Sequence, residues 1–227
     1  MTRRYLFVWI PLLAAALALA LPVQAAEEEK ADNIVDKSRI VVQEMMRAQD
    51  AQFPEDLLKK ASGIAILPGM IKGGFIIGGS YGRGVVLKHQ AGSWTGPAFI
   101  SMTAGSLGFQ IGGEAIDLLL VIVGDKAMNA FMQNKFKLGA DVGLAAGPVG
   151  GHASAATEIT LKGGIYSYSR SKGAFAGVSI EGAGISSQPD LNKAYYGSTG
   201  STPVILAGKV SPPASGQRLI ATLNKHR

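Results

Sequence analysis

The placement of glycine constrains this chain more than any other feature. Twenty-six of its thirty glycines lie between Gly63 and Gly184. They alternate with short β-favouring runs at 64–67, 75–77, 85–88, 98–102, 107–111, 116–123, 153–161, 165–168 and 175–180. Strands of this length between glycine turns predict a mainly antiparallel β-sandwich or barrel. The densest stretch, GMIKGGFIIGGSYGRG from Gly69 to Gly84, holds seven glycines in sixteen residues. It fails as a phosphate loop, which needs four residues between its glycines and then Gly-Lys-Ser/Thr. Lys72 precedes its glycine pair, and no Gly-x-Gly-x-x-Gly stands between a strand and a long helix. The glycines are instead expected at bulges, tight turns and close backbone approaches. Gly73, Gly74, Gly78 and Gly79 are expected to tolerate valine poorly. The apolar run 116–123 reads as a strand buried on both faces. Asp125 is expected to cap one helical insert over 126–134, with Ala127, Met128 and Phe131 on its inner side.

Helical signals precede this region. Asp32 is placed to cap a helix to about residue 49, with Ile34, Val35, Val41, Val42, Met45 and Met46 along one face. A short second helix begins at Pro54, with Glu55 and Asp56 in its first turn, Lys59 and Lys60 in its last, and Gly63 as a left-handed exit. The fold class is therefore α+β: an N-terminal helical hairpin on a glycine-rich, mainly antiparallel β-structure with one helical insert. Beyond residue 197, the stretches 198–203 and 211–216 read as linkers around a short apolar piece and a small basic helix near 217–225.

The chain opens with Arg3 and Arg4, an apolar run, and the small-residue exit Val23-Gln24-Ala25. That order reads as a secretory signal peptide over 1–25, cleaved after Ala25 or Ala26; the alternative is a membrane anchor. Export to the periplasm or cell envelope is expected, with the mature protein soluble or peripheral to a membrane. The chain has no cysteine, which excludes disulfides, thiolate metal sites and lipid attachment through cysteine.

Charge is divided. Residues 26–56 carry nine acids and four bases, whereas 57–227 carry seven acids and sixteen bases. No acid occurs from Leu57 to Gly113. The basic body implies an anionic partner, or else a head that folds back over it.

Catalytic patterns are absent. His89, His152 and His226 have no ligand spacing, and Ser101 and Ser106 lack a Gly-x-Ser-x-Gly elbow. Asp117, Asp125 and Asp141 are the acids that folding could bring together, but a cap explains Asp125 and a turn or buried acceptor explains Asp141. No enzyme activity, cofactor, metal or nucleic-acid partner is expected.

Ordered motifs identify a family resemblance. They run Gly63-Ile64-Ala65-Ile66-Leu67-Pro68-Gly69, Lys72-Gly73-Gly74-Phe75, Gly78-Gly79 and Gly82-Arg83-Gly84. Trp94, Pro97, Phe99, Gly105-Ser106-Leu107-Gly108 and Gln110-Ile111-Gly112 follow, then Leu138-Gly139-Ala140-Asp141 and Ala146-Gly147-Pro148-Val149-Gly150. Tyr166-Ser167-Tyr168-Ser169-Arg170-Ser171-Lys172-Gly173, Phe175-Ala176-Gly177 and Asn192, Tyr195, Tyr196 and Gly197 complete the set. Over about residues 32–197 the chain resembles the SYLF domain family, which includes eukaryotic lipid-binding proteins, a yeast actin-binding protein and bacterial secreted members. The resemblance implies binding of anionic phospholipids, phosphatidylinositol lipids among eukaryotes, and of actin filaments for some fungal members. The eukaryotic lipid contact lies in a basic amphipathic N-terminal segment, whereas Ala26-Glu27-Glu28-Glu29 is acidic here. Actin is not expected as a partner of an exported chain.

The expected organisation is a leader at 1–25, a SYLF-like domain at 26–197, and a linker with a short basic tail at 198–227. The expected function is peripheral binding of anionic headgroups through Lys59, Lys60, Lys72, Arg83, Lys88, Lys162, Arg170 and Lys172. The alternative is a non-enzymatic envelope structural or stress protein that binds another protein.

Overall fold

In a computed structural model of the chain, the described residues are 9–47, 55–73, 79–105, 114–147, 164–171, 174–178 and 180–226. The described parts of the glycine-rich stretch form strands. β1 (Gly63–Gly73) and β2 (Gly79–Gln90) pair antiparallel, from Gly63 opposite Lys88 to Gly73 opposite Gly79. β3 (Ser93–Gly105) pairs with β2, and β4 (Glu114–Val123) with β1. β5 (Lys135–Lys137), β6 (Leu144–Ala146), β7 (Gly164–Ser171), β8 (Ala174–Gly177) and β9 (Gly184–Ser187) complete one nine-stranded sheet. Its order is β5-β9-β3-β2-β1-β4-β7-β6, with β8 also on β7. Every pairing is antiparallel except that of β6 with β7.

Period-two alternation divides the central strands between two cores. Ala65, Leu67, Val86, Ile100, Leu118, Leu120 and Ile122 face one side. There they meet α3 (Asp125–Ala130) through Ala127 and Met128, and α5 (Thr202–Leu206) through Ile205 and Leu206. Ile64, Ile66, Val85, Leu87, Phe99, Leu119 and Val121 face the other side. They are covered by α1 (Trp9–Arg47), α2 (Glu55–Lys59), α4 (Pro189–Tyr196) and α6 (Ala214–Asn224). As expected, Leu118 to Ile122 are buried on both faces, between β1 and β7. The expected α1 face also forms: Val35, Val41, Val42 and Met45 are buried, with Ile34 and Met46 at its margin.

Glycine answers to geometry at two places in β1 and β2. Between Leu67 and Met70, β1 gains one residue against both neighbours, a bulge at Pro68-Gly69. Pro68 has no N–H to lose there, and Gly69 takes φ 59°. Opposite, a Cβ on Gly84 would lie 2.0 Å from the Ile66 carbonyl oxygen. Gly79 is different: its Cβ would meet only the Ala104 oxygen at 3.5 Å, an ordinary contact. The structure therefore moves the geometric demand from Gly79 to Gly82 and Gly84; Gly74 and Gly78 lie outside the described residues.

Other local expectations are corrected. Asp32 is inside α1, not at its start, because the helix runs unbroken from Trp9 through the apolar segment that precedes it. Gly124, at φ 88°, occupies the cap position of α3, and Asp125 begins the helix without a capping bond. Gly63 is the first residue of β1 and not a left-handed exit; a Cβ there would lie 2.3 Å from Met128 Sδ. The expected strands at 75–77, 107–111 and 153–161 lie outside the described residues.

The stretches read as linkers are folded in part. Pro203 falls in the first turn of α5, and Ala214 opens α6, which contains most of the expected basic helix. Leu219 and Leu223 of α6 are fully buried against the α1 side of the sheet. A polar network fastens this tail. Asn192, fully buried, accepts the Phe99 N–H at 2.7 Å and donates to Gly200 O at 3.1 Å and Thr202 Oγ1 at 3.3 Å. Tyr195 Oη lies 2.7 Å from Ser215 Oγ, which donates to Asp32 Oδ1 at 2.5 Å. Tyr196 donates to Pro97 O at 2.9 Å.

Candidate functional site

The acidic head folds back over the basic body. Glu44 of α1 and Asp117 of β4 both hold the Arg170 guanidinium, and Asp36 of α1 pairs with Arg218 of α6 at 3.2 Å. Asp117 also accepts the bulge N–H of Gly69 at 2.9 Å. Arg170 is thus committed to two carboxylates and does not offer the free cation expected of it.

The other expected headgroup contacts do not converge. Lys59 and Lys60 are exposed at the end of α2, next to the start of β1. Lys88 is half-buried opposite Gly63 at that same end. Arg83 stands about 17 Å away along β2, at ~3.3 Å per residue, and on the opposite face by the alternation of the strand. Lys72 has a described backbone, paired with Ser80 and Glu114. Lys162 and Lys172 lie outside the described residues.

The catalytic readings gain no support. Among the described residues no three His, Cys, Asp or Glu side chains gather as a metal site. His89 packs edge-on against Trp94 at 5.2 Å between ring centres. Asp141 accepts the Lys137 N–H at 2.6 Å in an exposed turn. Ser101 accepts from Gln188 at 2.9 Å; His152 and Ser106 lie outside the described residues. Burial, its main cause, pushes the Tyr195 hydroxyl up to about 12, and burial also raises Tyr166, Tyr168 and Tyr196. These are packed structural phenols.

Among the described residues a cleft forms between α1 and the bulged ends of β1 and β2. It encloses about 490 Å³. Its helical wall is Ala26, Glu29, Lys30, Asn33, Ile34 and Lys37, whose i, i+3, i+4 and i+7 spacing places them along one stripe. Its sheet wall is Pro68, Gly69, Ile71, Tyr81, Gly82 and Arg83. Ile71 and Tyr81 are direct cross-strand partners, and they remain 63% and 46% exposed. The Arg83 guanidinium lies 5.9 Å from the centre of the Tyr81 ring, and its Nε is buried without a hydrogen-bond partner. Sequence reasoning found Arg83 but missed Lys30 and Lys37, because they stand among acids. Their seven-residue spacing was the available signal.

No helix among the described residues is long and apolar enough to cross a membrane, which says nothing about a β-barrel. Comparison with known proteins bears on most of the chain. Residues 103–226 match the family model described as "Ysc84: Las17-binding protein actin regulator". The match extends through α4, α5 and α6. LAS seventeen-binding protein 3 of Saccharomyces cerevisiae is 34% identical over 178 residues, 77% of this chain and 39% of that protein. Protein YSC84 of the same yeast is also 34% identical, over 77% of this chain and 38% of its own length. SH3 domain-containing YSC84-like protein 1 of Xenopus laevis is 32% identical over 77% of this chain and 53% of its own. The chain spans about two-fifths to one-half of the length of these relatives. The chain belongs to the Ysc84 family, the SYLF-domain proteins.

Proposed function

We propose that this chain is a non-enzymatic binding module whose partner is another protein, acting in the cell envelope after export. The family match carries the reading, since its model is described by protein binding and actin regulation and covers more than half of the chain. The cleft beneath α1 is compatible with it, because exposed Ile71 and Tyr81 beside a cation suit a partner's side chains. The actin regulation in that family description is not carried over to this chain, because the expected leader argues for a different protein partner here.

A second reading is peripheral binding of anionic phospholipid headgroups. The acid-free stretch from Leu57 to Gly113 favours it, with Lys59, Lys60 and Lys88 at one end of the sheet. Each lysine near an anionic surface contributes about 1 kcal/mol, lost within a Debye length of ~8–10 Å.

Flotation with neutral and anionic vesicles, combined with photo-crosslinking in intact cells from positions around the molecule, tests the proposal. Discrete protein adducts and no flotation support it. Salt-sensitive flotation with anionic vesicles alone, reduced by charge reversal at Lys59 and Lys60 and without protein adducts, replaces it with the lipid reading.

A further inference from the structure

We infer that the cleft between α1 and the β1–β2 bulge is a docking site for an acidic peptide segment carrying apolar side chains. The inference rests on the protein-binding reading and names the site and the chemistry of the partner.

Three observations converge on that occupant. The floor is apolar and uncovered: Ile71 and Tyr81 form a cross-strand pair that ordinary packing would bury, yet both are exposed. The lining holds three cations, Lys30, Lys37 and Arg83, and one acid, Glu29, with Asp117 bonded to Gly69 at its edge. Lys30 is neutralised in part by Glu27 at 3.1 Å, but Lys37 is exposed with no ion pair among the described residues. Finally, Arg83 is poised to receive an acceptor. Its guanidinium is oriented near Tyr81, and Nε has lost solvent without gaining a partner. Arg83 as a whole is only half-buried, so a carboxylate that reaches its guanidinium makes a charge-assisted hydrogen bond.

Shape selects a peptide over a bilayer. The cleft is an open groove between a helix and a sheet, and its volume of about 490 Å³ accommodates a few side chains. A flat membrane surface reaches protruding cations, such as Lys59 and Lys60, more readily than a guanidinium beneath a helix. An extended segment can place a carboxylate on Arg83 and an apolar side chain between Ile71 and Tyr81. Lys37, one face along α1, then meets a second acid.

The probe is a short labelled peptide alternating glutamate and leucine, followed by fluorescence anisotropy. Its controls alternate lysine with leucine and glutamate with serine. The expected result is saturable binding of the glutamate–leucine peptide alone, with backbone amide shifts concentrated at Gly69, Ile71 and Gly82. Arg83→Gln should weaken it at least about tenfold, as loss of a charge-assisted hydrogen bond does. Ile71→Ser should also weaken it, whereas Lys88→Gln at the other end of the sheet should not. If Arg83→Gln unfolds the protein, Lys37→Gln in the helical wall of the cleft decides the question. No binding, equal binding of the lysine peptide, or binding indifferent to both Arg83 and Lys37 overturns the assignment. Protein adducts from other positions but none from Ile71 overturn the cleft and leave the protein-binding reading standing. Vesicle binding without adducts anywhere overturns that broader reading.

Discussion

Asn192 offers the sharpest test of how the C-terminal part is held. It is fully buried, and three groups depend on it: the Phe99 N–H in β3, the Gly200 carbonyl and the Thr202 hydroxyl. Asn192→Ala removes every partner at once. Each buried polar group left unsatisfied costs about 1–3 kcal/mol, with partial relief where water enters. The Gly200 carbonyl and Thr202 lie near the start of α5, where that relief is available, so the expected total is about 3–5 kcal/mol. At about 2–4 °C per kcal/mol for a chain of this size, Tm should fall by roughly 6–20 °C. Urea unfolding followed by tryptophan fluorescence measures the loss directly, since Trp94 is buried near this region. Thr202→Val removes one contact alone and should cost about 1 kcal/mol. Asn192→Asp retains the acceptor for Phe99 but loses both donors, and should resemble alanine more than wild type. An Asn192→Ala loss below about 1 kcal/mol would refute the network as a fastening.

Three further expectations are independent of the first. Gly84→Ala forces a Cβ within 2.0 Å of Ile66 O and should cost about 3 kcal/mol or more, whereas Gly79→Ala should stay within about 1 kcal/mol; equal thermal shifts would refute the close approach. Arg170→Ala leaves Glu44 and Asp117 facing each other without a cation, and should cost about 1–2 kcal/mol at low salt; a loss unchanged by adding salt would show packing to be the cause. The Tyr195 hydroxyl is raised by burial from 10.0 to about 12, so its neutral form stabilises the fold fully below pH 10. That contribution, about 3 kcal/mol, is lost as pH rises through that window, and tyrosinate absorbance should grow in step with unfolding.

The readable parts of this sequence were those in which one short-range pattern had one meaning. Val35, Val42 and Met45 repeat at helical spacing, and 116–123 is too apolar for any place but the sheet centre. Gly63 shows the opposite case: a glycine after a helix suits a left-handed exit, but here the proximity of Met128 in space demands it. Asp32 looked like a cap because acids follow an apolar leader, and it instead serves Ser215, 183 residues later. In the tail the helix near 217–225 was legible, whereas α5, five residues opened by Thr202-Pro203, is too short to display its period. The cleft was illegible for a related reason. Its walls come from 26–37 and 68–83, and only packing of α1 on the sheet brings them together.

The closure of α1 by α6 also bears on how the molecule comes into being. Asp32 meets Ser215 and Asp36 meets Arg218, contacts separated by 183 and 182 residues. Until α6 has been synthesised, the face bearing Ile64, Ile66, Val85, Leu87 and Phe99 lacks part of its cover. A nascent chain cannot complete its fold from the N-terminus onward, however early β1 and β2 form their hairpin. Such distant pairings impose a loop-closure cost before they return any stability, and slow the final step. The growing polypeptide therefore carries this incompletely covered face until α6 is added, the form that chaperones would encounter.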